Sequence, residues 1–185
     1  MKMFLQGYYL NGGSMQPVLN NEGETAPATA TDYITVELHD PTTYALVDAQ
    51  TATLNIDGTA SATFTQPAGN YFIGIKHRNS IQTWTTNPVT CSVSTPLYNF
   101  SSAANKAMGD NMIEVETGVW AFFTGDLNQD DFIDSNDFPD LDNDTFNGIA
   151  FEYKATDMNG DGFVDSNDFP VLDNNTFNGV TAVHP

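Results

Sequence analysis

Positive charge is scarce in this sequence. Five Lys and Arg residues stand against 24 Asp and Glu residues, which gives the 185-residue chain a formal net charge of −19. No basic patch could offset such a negative field, so a nucleic-acid partner is excluded. Binding to an anionic membrane surface is disfavoured for the same reason. We therefore expect neither nucleic acid nor a membrane among the partners.

Cysteine and long apolar runs are equally scarce. Cys91 is the only cysteine, so no disulfide can form within the chain, and cysteine usage does not indicate a compartment. A catalytic thiol would need a neighbouring base, and none is near in sequence, so we interpret Cys91 as a small apolar strand residue. The longest apolar run, near Trp120, is too short to span a bilayer. We expect no membrane insertion.

The acidic residues are unevenly distributed along the chain. Fourteen of the 24 lie between Asp126 and Asp173, and the other ten are scattered. This shift in composition predicts two domains, at residues 1–122 and 123–185. Since no Pro/Gly/Ser-rich linker separates them, we expect the two domains to pack together.

The first 120 residues have the pattern of β-structure. Ile34, Val36 and Leu38 alternate with polar residues, and Asp57-Gly58 is a strong hairpin turn. The predicted strands include residues 53–56, 59–64, 71–78, 82–85, 89–93, 97–100 and 112–116, and residues 103–108 are predicted to form a short helix. Short strands with frequent turns predict a mainly β fold, with a β-sandwich of immunoglobulin-like or transthyretin-like type over residues 1–122.

The acidic part contains an internal repeat with an offset of 31 residues. Residues 125–148 align without gaps to residues 156–179, and 17 of 24 positions are identical. Two copies are too few for a solenoid. They suit a pair of units that pack around a local two-fold axis.

Each repeat begins with a twelve-residue pattern of oxygen donors. A calcium loop supplies side-chain oxygens from positions 1, 3, 5, 9 and 12 and a carbonyl oxygen from position 7. The duplicated pattern predicts two calcium ions, while solvated Asp/Asn turns without metal are the alternative. Magnesium demands tighter octahedral geometry and zinc prefers Cys or His, so both are disfavoured. Position 8 is Ile133 or Val164, which suits pairing of the two loops through a short strand contact. The predicted ligands are Asp126, Asn128, Asp130, the Phe132 carbonyl, Asp134 and Asp137 in the first loop, and Asp157, Asn159, Asp161, the Phe163 carbonyl, Asp165 and Asp168 in the second.

These loops differ from those of complete EF-hands. Position 12 is Asp rather than Glu, and position 6 of the first loop is Asp131, where Gly usually supplies a positive φ. Asp adopts that conformation at a cost of about 1 kcal/mol. No helical pattern precedes either loop. A helix is predicted after the first loop, where Phe138, Leu141 and Phe146 fall roughly on one face.

Two such loops, each with Asp at position 12 and a single following helix, resemble the type I dockerin family over residues 123–179. The resemblance implies a small pair of half EF-hands with two structural calcium ions, in a protein secreted by a bacterium. It also implies a cohesin-type partner that binds the exiting helices, with Ser135-Asn136 and Ser166-Asn167 at loop positions 10 and 11.

The chain also resembles the C-terminal region of large secreted or surface-attached bacterial proteins of the hemagglutinin-like or adhesin-like kind. The similar stretches are residues 4–9, 35–40, 76–80 and 118–120, together with Trp84 and the two loops. This resemblance implies a secreted or cell-surface location and a role in export or attachment.

The remaining polar and aromatic candidates are expected to be structural. His39, His77 and His184 are far apart in sequence, and Lys76 and Arg78 are expected on a solvated strand face, with pairing to an acidic loop as the alternative. Core packing is favoured over a sugar-stacking platform for the large aromatic residues Tyr8, Tyr9, Trp84 and Trp120.

No nucleophile elbow, phosphate loop or zinc-protease helix is present, so we expect no enzymatic activity. The sequence thus predicts a calcium-stabilised, non-catalytic structural or adhesion module of a secreted or cell-surface bacterial protein. The alternatives are a binding module for a cohesin-like protein or a glycan, and a region that serves export or attachment. Self-association through the sandwich edge or the exiting helices is a further interpretation.

Overall fold

The computed structural model of the protein describes residues 1–92 and 97–185. The described residues are mainly β, and the paired strands are antiparallel. The strands are β1 (Tyr9–Leu10), β2 (Ser14–Met15), β3 (Ala30–His39), β4 (Leu46–Asn55), β5 (Gly69–His77), β6 (Ser80–Trp84), β7 (Val89–Cys91), β8 (Ile113–Glu116) and β9 (Val119–Ala121). The helices are α1 (Val18–Asn21), α2 (Phe138–Asn147) and α3 (Phe169–Phe177). None of the helices in this part of the chain has the length and apolar character needed to cross a membrane.

One large sheet organises the first two thirds of the chain. Its strand order is β4-β3-β5-β6, with β7 also paired to β5, while β1–β2 and β8–β9 form separate two-stranded sheets. Side chains alternate between the two sheet faces, so Val36, Leu38 and Ile75 are buried on the core face. Glu37 and Trp84 lie on the opposite face, aligned across Gly74 by the strand register.

The first hydrophobic core lies between this sheet and segments from both sides of it in sequence. Met3, Phe4 and Leu5 from the N-terminus pack there with Phe100 and Phe122, and each is at most 2% exposed. The Phe100 and Phe122 rings meet edge to face, with centroids 5.1 Å apart. The N-terminal residues are therefore part of the core.

A second core lies within the acidic part. It consists of three pairs of residues related by the repeat, which are Leu127 with Met158, Ile133 with Val164 and Leu141 with Leu172, together with Val180 and Ile81. Ile81 belongs to β6, so the large sheet contributes to this core.

The Asp57-Gly58 turn is confirmed, but the predicted strand over residues 59–64 is wrong. Gly58 has φ +83°, and Asp57 Oδ1 accepts the Thr59 N–H at 2.9 Å. Beyond the turn, Met3 N donates to Gly58 O at 2.9 Å and Ala60 N donates to Met1 O at 3.1 Å. The chain just after the turn is therefore bonded to the N-terminus, and no strand continues through residues 61–64.

The predicted helix over residues 103–108 is also wrong. Short 3-10 turns at Ala104–Lys106 and Met108–Asp110 replace it, because Ala107 between them is extended, with ψ 148°. The strand predicted over residues 89–93 ends at Cys91, and its last residue, Val93, lies outside the described residues. The predicted strand over residues 97–100 is a single bridge between Asn99 and Lys2.

Arg78 does not lie on a solvated strand face, and its charge is neutralised inside the protein. It follows β5 directly, and its side chain is only 14% exposed. Nη2 lies 2.6 Å from Glu22 Oε2 and Nε lies 2.8 Å from Asp32 Oδ2, and both carboxylate side chains are fully buried. His77 Nε2 also contacts Asp32 at 3.1 Å, and the Tyr153 hydroxyl donates to Asp32 Oδ1 at 2.7 Å. We call these residues the Arg78 cluster.

The Arg78 cluster joins the large sheet to the acidic part, since Tyr153 lies between the two repeats and its ring centroid lies 4.1 Å from the Arg78 guanidinium carbon. Burial alone would raise the pKa of Asp32. The hydrogen bond from His77 and the charges of His77 and Arg78 outweigh it and hold that pKa below its usual range. Asp32 is thus kept ionised by its neighbours.

The aromatic residues named in the sequence do not form an exposed platform. Tyr8 and Trp84 are 1% and 5% exposed, and Tyr9 and Trp120 are half-buried. The Trp84 ring lies 3.9 Å from the ring of His39, whose Nε2 is 3.1 Å from Glu37 Oε2.

Replacing Arg78→Met should destabilise the protein by about 3–5 kcal/mol, because it leaves Glu22 and Asp32 buried without their cation. Lys76→Met, in β5 two residues before Arg78, is the matched control, and it should cost at most about 1 kcal/mol since Lys76 is half exposed. Urea unfolding of both variants measures the difference. Equal free energies of unfolding in the two variants would show that the Arg78 cluster is not stabilising.

Candidate metal centre

The two repeats are related by a local two-fold exchange of backbone hydrogen bonds. Ile133 N donates to Val180 O at 2.9 Å, and its repeat equivalent Val164 N donates to Ile149 O at 2.9 Å. Each loop therefore pairs with the segment that follows the helix of the other repeat. The expected direct pairing of the loops through Ile133 and Val164 is replaced by this exchange, which buries both side chains in the second core.

The position-1 carboxylates hold the turn of each loop through backbone N–H groups. Asp126 Oδ1 accepts the Asp130 N–H at 3.1 Å. Asp157 accepts the N–H groups of Gly160 and Gly162 at 2.7 and 2.8 Å. Such bonds fold the chain around the carboxylate and bring positions 3 and 5 toward it.

The position-12 carboxylates close the loops in the same way in both repeats. Asp137 Oδ1 accepts from Leu127 N at 2.7 Å and Asn128 N at 3.2 Å, while Oδ2 accepts from Asp134 N at 2.9 Å. Asp168 repeats the arrangement with Met158, Asn159 and Asp165, at 2.7, 3.0 and 2.9 Å. Positions 1 and 12 are thereby brought to the same end of each loop. Asp137 directly precedes α2, and Asp168 directly precedes α3.

Positions 3, 5 and 9 lie around the rim of each loop. Asn128 Nδ2 donates to Asp130 Oδ2 at 3.0 Å, and Asn159 Nδ2 donates to Asp161 Oδ2 at 3.1 Å. The position-9 carboxylates accept the N–H two residues ahead, Asp134 from Asn136 and Asp165 from Asn167, both at 2.7 Å.

The position-7 residues present their backbone to the loop. Phe132 forms an isolated bridge with Thr181, and the flanking bonds use Asp131 O and Ile133 N. The N–H and C=O of Phe132 therefore point away from the bridge, and its N–H bonds to Asp130 Oδ1 at 3.1 Å. Phe163 does the same with Asp161 at 3.0 Å. The carbonyl predicted as a ligand thus faces the loop in both repeats.

The backbone at position 6 has the predicted positive φ. Asp131 has φ +72° and Gly162 has φ +91°. Position 4 also has a positive φ, at +58° for Gln129 and +73° for Gly160, which the sequence analysis missed. The glycine at position 4 of the second loop was the available signal.

Four carboxylates of the loops are buried without a cationic partner. Asp126, Asp137, Asp157 and Asp168 are each at most 2% exposed, and no ion pair within the described ranges involves them. Burial of a charge without a partner is costly, so a cation at this end of each loop would lower the free energy of the folded protein.

The pKa values of these carboxyl groups respond to that environment. Burial, together with the nearby Asp137 charge, raises the pKa of Asp126 to about 7. Burial raises the pKa of Asp168 to about 7, partly opposed by the backbone N–H groups that it accepts. The pKa values of Asp137 and Asp157 are raised as well, and burial is the largest cause in both.

The donor set fits a hard cation. Each loop offers four carboxylates, one amide oxygen and one carbonyl, all oxygen ligands of the kind that calcium prefers. In the described ranges, no group of three or more His, Cys, Asp and Glu side chains is drawn together as a preformed metal cluster. The loop carboxylates instead accept backbone N–H groups, as set out above.

The helices that follow the loops differ from the prediction in one respect. Leu141 is buried and Phe138 packs beside it, but Phe146 is 90% exposed, as is its repeat equivalent Phe177. The Phe146 side chain therefore does not share the buried face of α2. Gly148 ends α2 in the left-handed conformation.

Asn79 connects the site to the large sheet, and the sequence analysis missed it. It lies fully buried in the turn between β5 and β6, and its Nδ2 donates to Ala155 O at 3.1 Å and to the Tyr8 hydroxyl at 3.0 Å. The backbone carbonyl of Asn79 accepts the N–H of Gly125, directly before the first loop, at 2.7 Å. A single asparagine in a turn carries no sequence signal for such a role.

Comparison of the chain with protein-family models, with curated proteins and with solved structures gives no match.

Gly162→Asp, which gives the second loop the residue of the first, should destabilise the protein by at least about 2 kcal/mol. A Cβ at Gly162 would lie 2.4 Å from Asn21 O, in addition to the left-handed strain. The reverse change, Asp131→Gly, should stay within about 1 kcal/mol because it relieves strain but adds flexibility to the unfolded chain. Thermal unfolding measures the loss of stability in the two variants. A smaller loss of stability for Gly162→Asp than for Asp131→Gly would contradict the close contact with Asn21.

Proposed function

We propose that this chain is a calcium-stabilised, non-catalytic structural or adhesion module of a secreted or cell-surface bacterial protein. Its last third is a dockerin-like pair of half EF-hands that binds two calcium ions. Its first 122 residues are a β-sandwich variant of immunoglobulin-like or transthyretin-like type. The large sheet is covered in it by Met3, Phe4 and Leu5 and by the β8–β9 hairpin.

The observation that carries this proposal is the set of four buried, unpaired carboxylates, one pair at positions 1 and 12 of each loop. Two like charges about 4 Å apart repel by about 1 kcal/mol even at the dielectric constant of water, and by more when buried. A divalent cation held by these oxygens would convert the repulsion into attraction, so that binding energy becomes folding energy.

The symmetry of the site supports the proposal further. The same backbone N–H groups bond the same oxygens of the position-12 carboxylate in both repeats, and the positive φ falls at the same loop positions. Solvated Asp/Asn turns would leave their carboxylates exposed, whereas the carboxylates at positions 1 and 12 are buried in both repeats.

Calorimetric titration of metal-stripped protein with calcium should give a stoichiometry of two. Asp126→Ala and Asp157→Ala should each reduce it to one, because each removes the buried position-1 carboxylate of one loop. The exposed helix residues Asp142 and Asp173 provide matched controls, and Asp142→Ala and Asp173→Ala should leave it at two. A stoichiometry of zero for the unmodified chain would refute the proposal.

A second function, binding of a protein partner through the exiting helices, is favoured by one observation. Phe146 on α2 and Phe177 on α3 are both 90% exposed and are equivalent in the repeat. Phenylalanine is enriched in the cores of protein–protein interfaces, and exposed apolar surface that is contiguous marks such sites. The surrounding helix surface is acidic, so a partner surface with apolar sockets and basic residues would complement it.

The double variant Phe146→Ala/Phe177→Ala should fold with a free energy of unfolding within about 0.5 kcal/mol of the unmodified chain, since neither ring is buried. It should lose at least about tenfold in affinity for an immobilised type I cohesin domain, because each ring is a candidate anchor. Phe151→Ala, another exposed phenylalanine outside the helices, is the control. Equal binding of a cohesin domain by the double variant and the unmodified chain would exclude this surface.

The proposal includes no catalytic step. The buried titratable residues outside the loops, such as Glu22 and Asp32 in the Arg78 cluster, are engaged by hydrogen bonds and ion pairs. Glycan binding, export and self-association remain alternatives for the module as a whole, and no site in the described ranges selects among them.

A further inference from the structure

The two calcium loops are nearly equal in sequence but have unequal surroundings. In the first loop, residues 128–130 are exposed. In the second loop, their equivalents are half-buried at Asn159 and Asp161 and fully buried at Gly160. The two-fold relation of the repeats thus places the first loop toward solvent and the second against the rest of the chain.

The neighbour of the second loop is the N-terminal segment, which we define as residues 7–23. Asn21 Nδ2 donates to Gly160 O at 2.7 Å, and the Tyr8 hydroxyl donates to Asp157 O at 3.3 Å. Both acceptors are backbone carbonyls of the loop itself, at positions 4 and 1. The segment therefore bonds directly to the loop backbone that would surround an ion.

Close packing accompanies these bonds. A Cβ built on Gly160 would lie 2.5 Å from Val18 Cγ2, and one on Gly7 would lie 2.0 Å from Met158 O. No side chain fits between the segment and the loop at these points. The loop and the N-terminal segment consequently fix each other's backbone conformation.

We infer that calcium binding in the second loop is thermodynamically coupled to docking of the N-terminal segment, so that the second ion acts as a clamp between the two parts of the chain. This inference rests on the proposed calcium function. The docked segment holds the second loop in one conformation, so this loop loses less conformational freedom when the ion binds. The second loop therefore binds calcium more tightly than the first. By linkage, the ion in turn stabilises the docked segment by the same factor.

The first loop provides the internal comparison. Its position-4 residue, Gln129, is exposed, and its own side chain bonds to Asp126 O at 2.6 Å. The contact that Asp131 makes with His184 is between partly exposed side chains, with 3.2 Å between Asp131 Oδ2 and His184 Nε2. The first contact lies within the loop, and the second leads through His184 to Trp84 of β6, with 5.8 Å between the two ring centroids. Neither contact involves residues 7–23.

The coupling is tested with Asn21→Ala, which removes the hydrogen bond to Gly160 but no predicted ligand. Calcium is titrated into the complete chain while amide NMR signals of Gly162 and Asp131 report the second and first loops separately. Loss of one net hydrogen bond should weaken calcium binding in the second loop about three- to tenfold, with the first loop unchanged within twofold. Asn20→Ala is the matched control, because Asn20 lies in the same segment but its side chain bonds Pro27 O. This variant should leave the calcium affinity of both loops unchanged.

The reciprocal effect is measured by hydrogen exchange in saturating calcium. Asp157→Ala should lower the protection of residues 7–23, and Asp126→Ala should leave it unchanged. Failure of both loops to bind calcium would overturn the proposed function and the clamp together. Two bound ions with both loops weakened equally by Asn21→Ala, or with neither weakened, would overturn the clamp and leave the calcium function standing.

Discussion

The burial of negative charge is the constraint on which this structure depends. The chain has five basic residues, and only Arg78 places its charge deep inside the protein, where Glu22 and Asp32 neutralise it. The four buried carboxylates of the loops have no such partner among the described ion pairs. One part of the fold thus pairs its buried carboxylates with Arg78, while the buried carboxylates of the other part have backbone N–H groups as their partners.

The exchange of hydrogen bonds between the repeats explains why the acidic part is organised as a pair. A single repeat has one loop and one helix, with too little apolar surface for a core of its own. Pairing Ile133 with Val180, and Val164 with Ile149, closes the core between the two halves. Ile81 covers this core from the sheet side, and Asn79 and Arg78 contact Ala155 and Tyr153 in the segment between the repeats.

Local chemistry made much of the candidate site predictable. The loops, the positive φ of Asp131, the helix after the first loop and the Asp57-Gly58 turn each follow from a few neighbouring residues. The mainly β character of the chain follows from alternation along its strands. Whether calcium occupies the loops is a prediction that the fold does not test.

The features that the sequence did not predict depend on distant partners. Residues 59–64 alternate like a strand, but residues 58 and 60 bond to the distant N-terminus and no strand follows them. Arg78 alternates like a solvated residue, but Glu22 and Asp32 lie 56 and 46 positions away and reach it only in the fold. The exposure of Phe146 follows from where α2 packs, which periodicity over ten residues cannot specify.

The unequal surroundings of the two loops also explain how the repeat sequences differ. Positions 4 and 6 are Gln129 and Asp131 in one copy and Gly160 and Gly162 in the other, although all four residues have positive φ. Backbone conformation alone therefore permits a side chain at these positions. Only in the second copy does a neighbouring segment occupy the space, at 2.5 and 2.4 Å from the built Cβ atoms. After a duplication, the solvent-facing copy would be free to exchange glycine for other residues, and the enclosed copy would not.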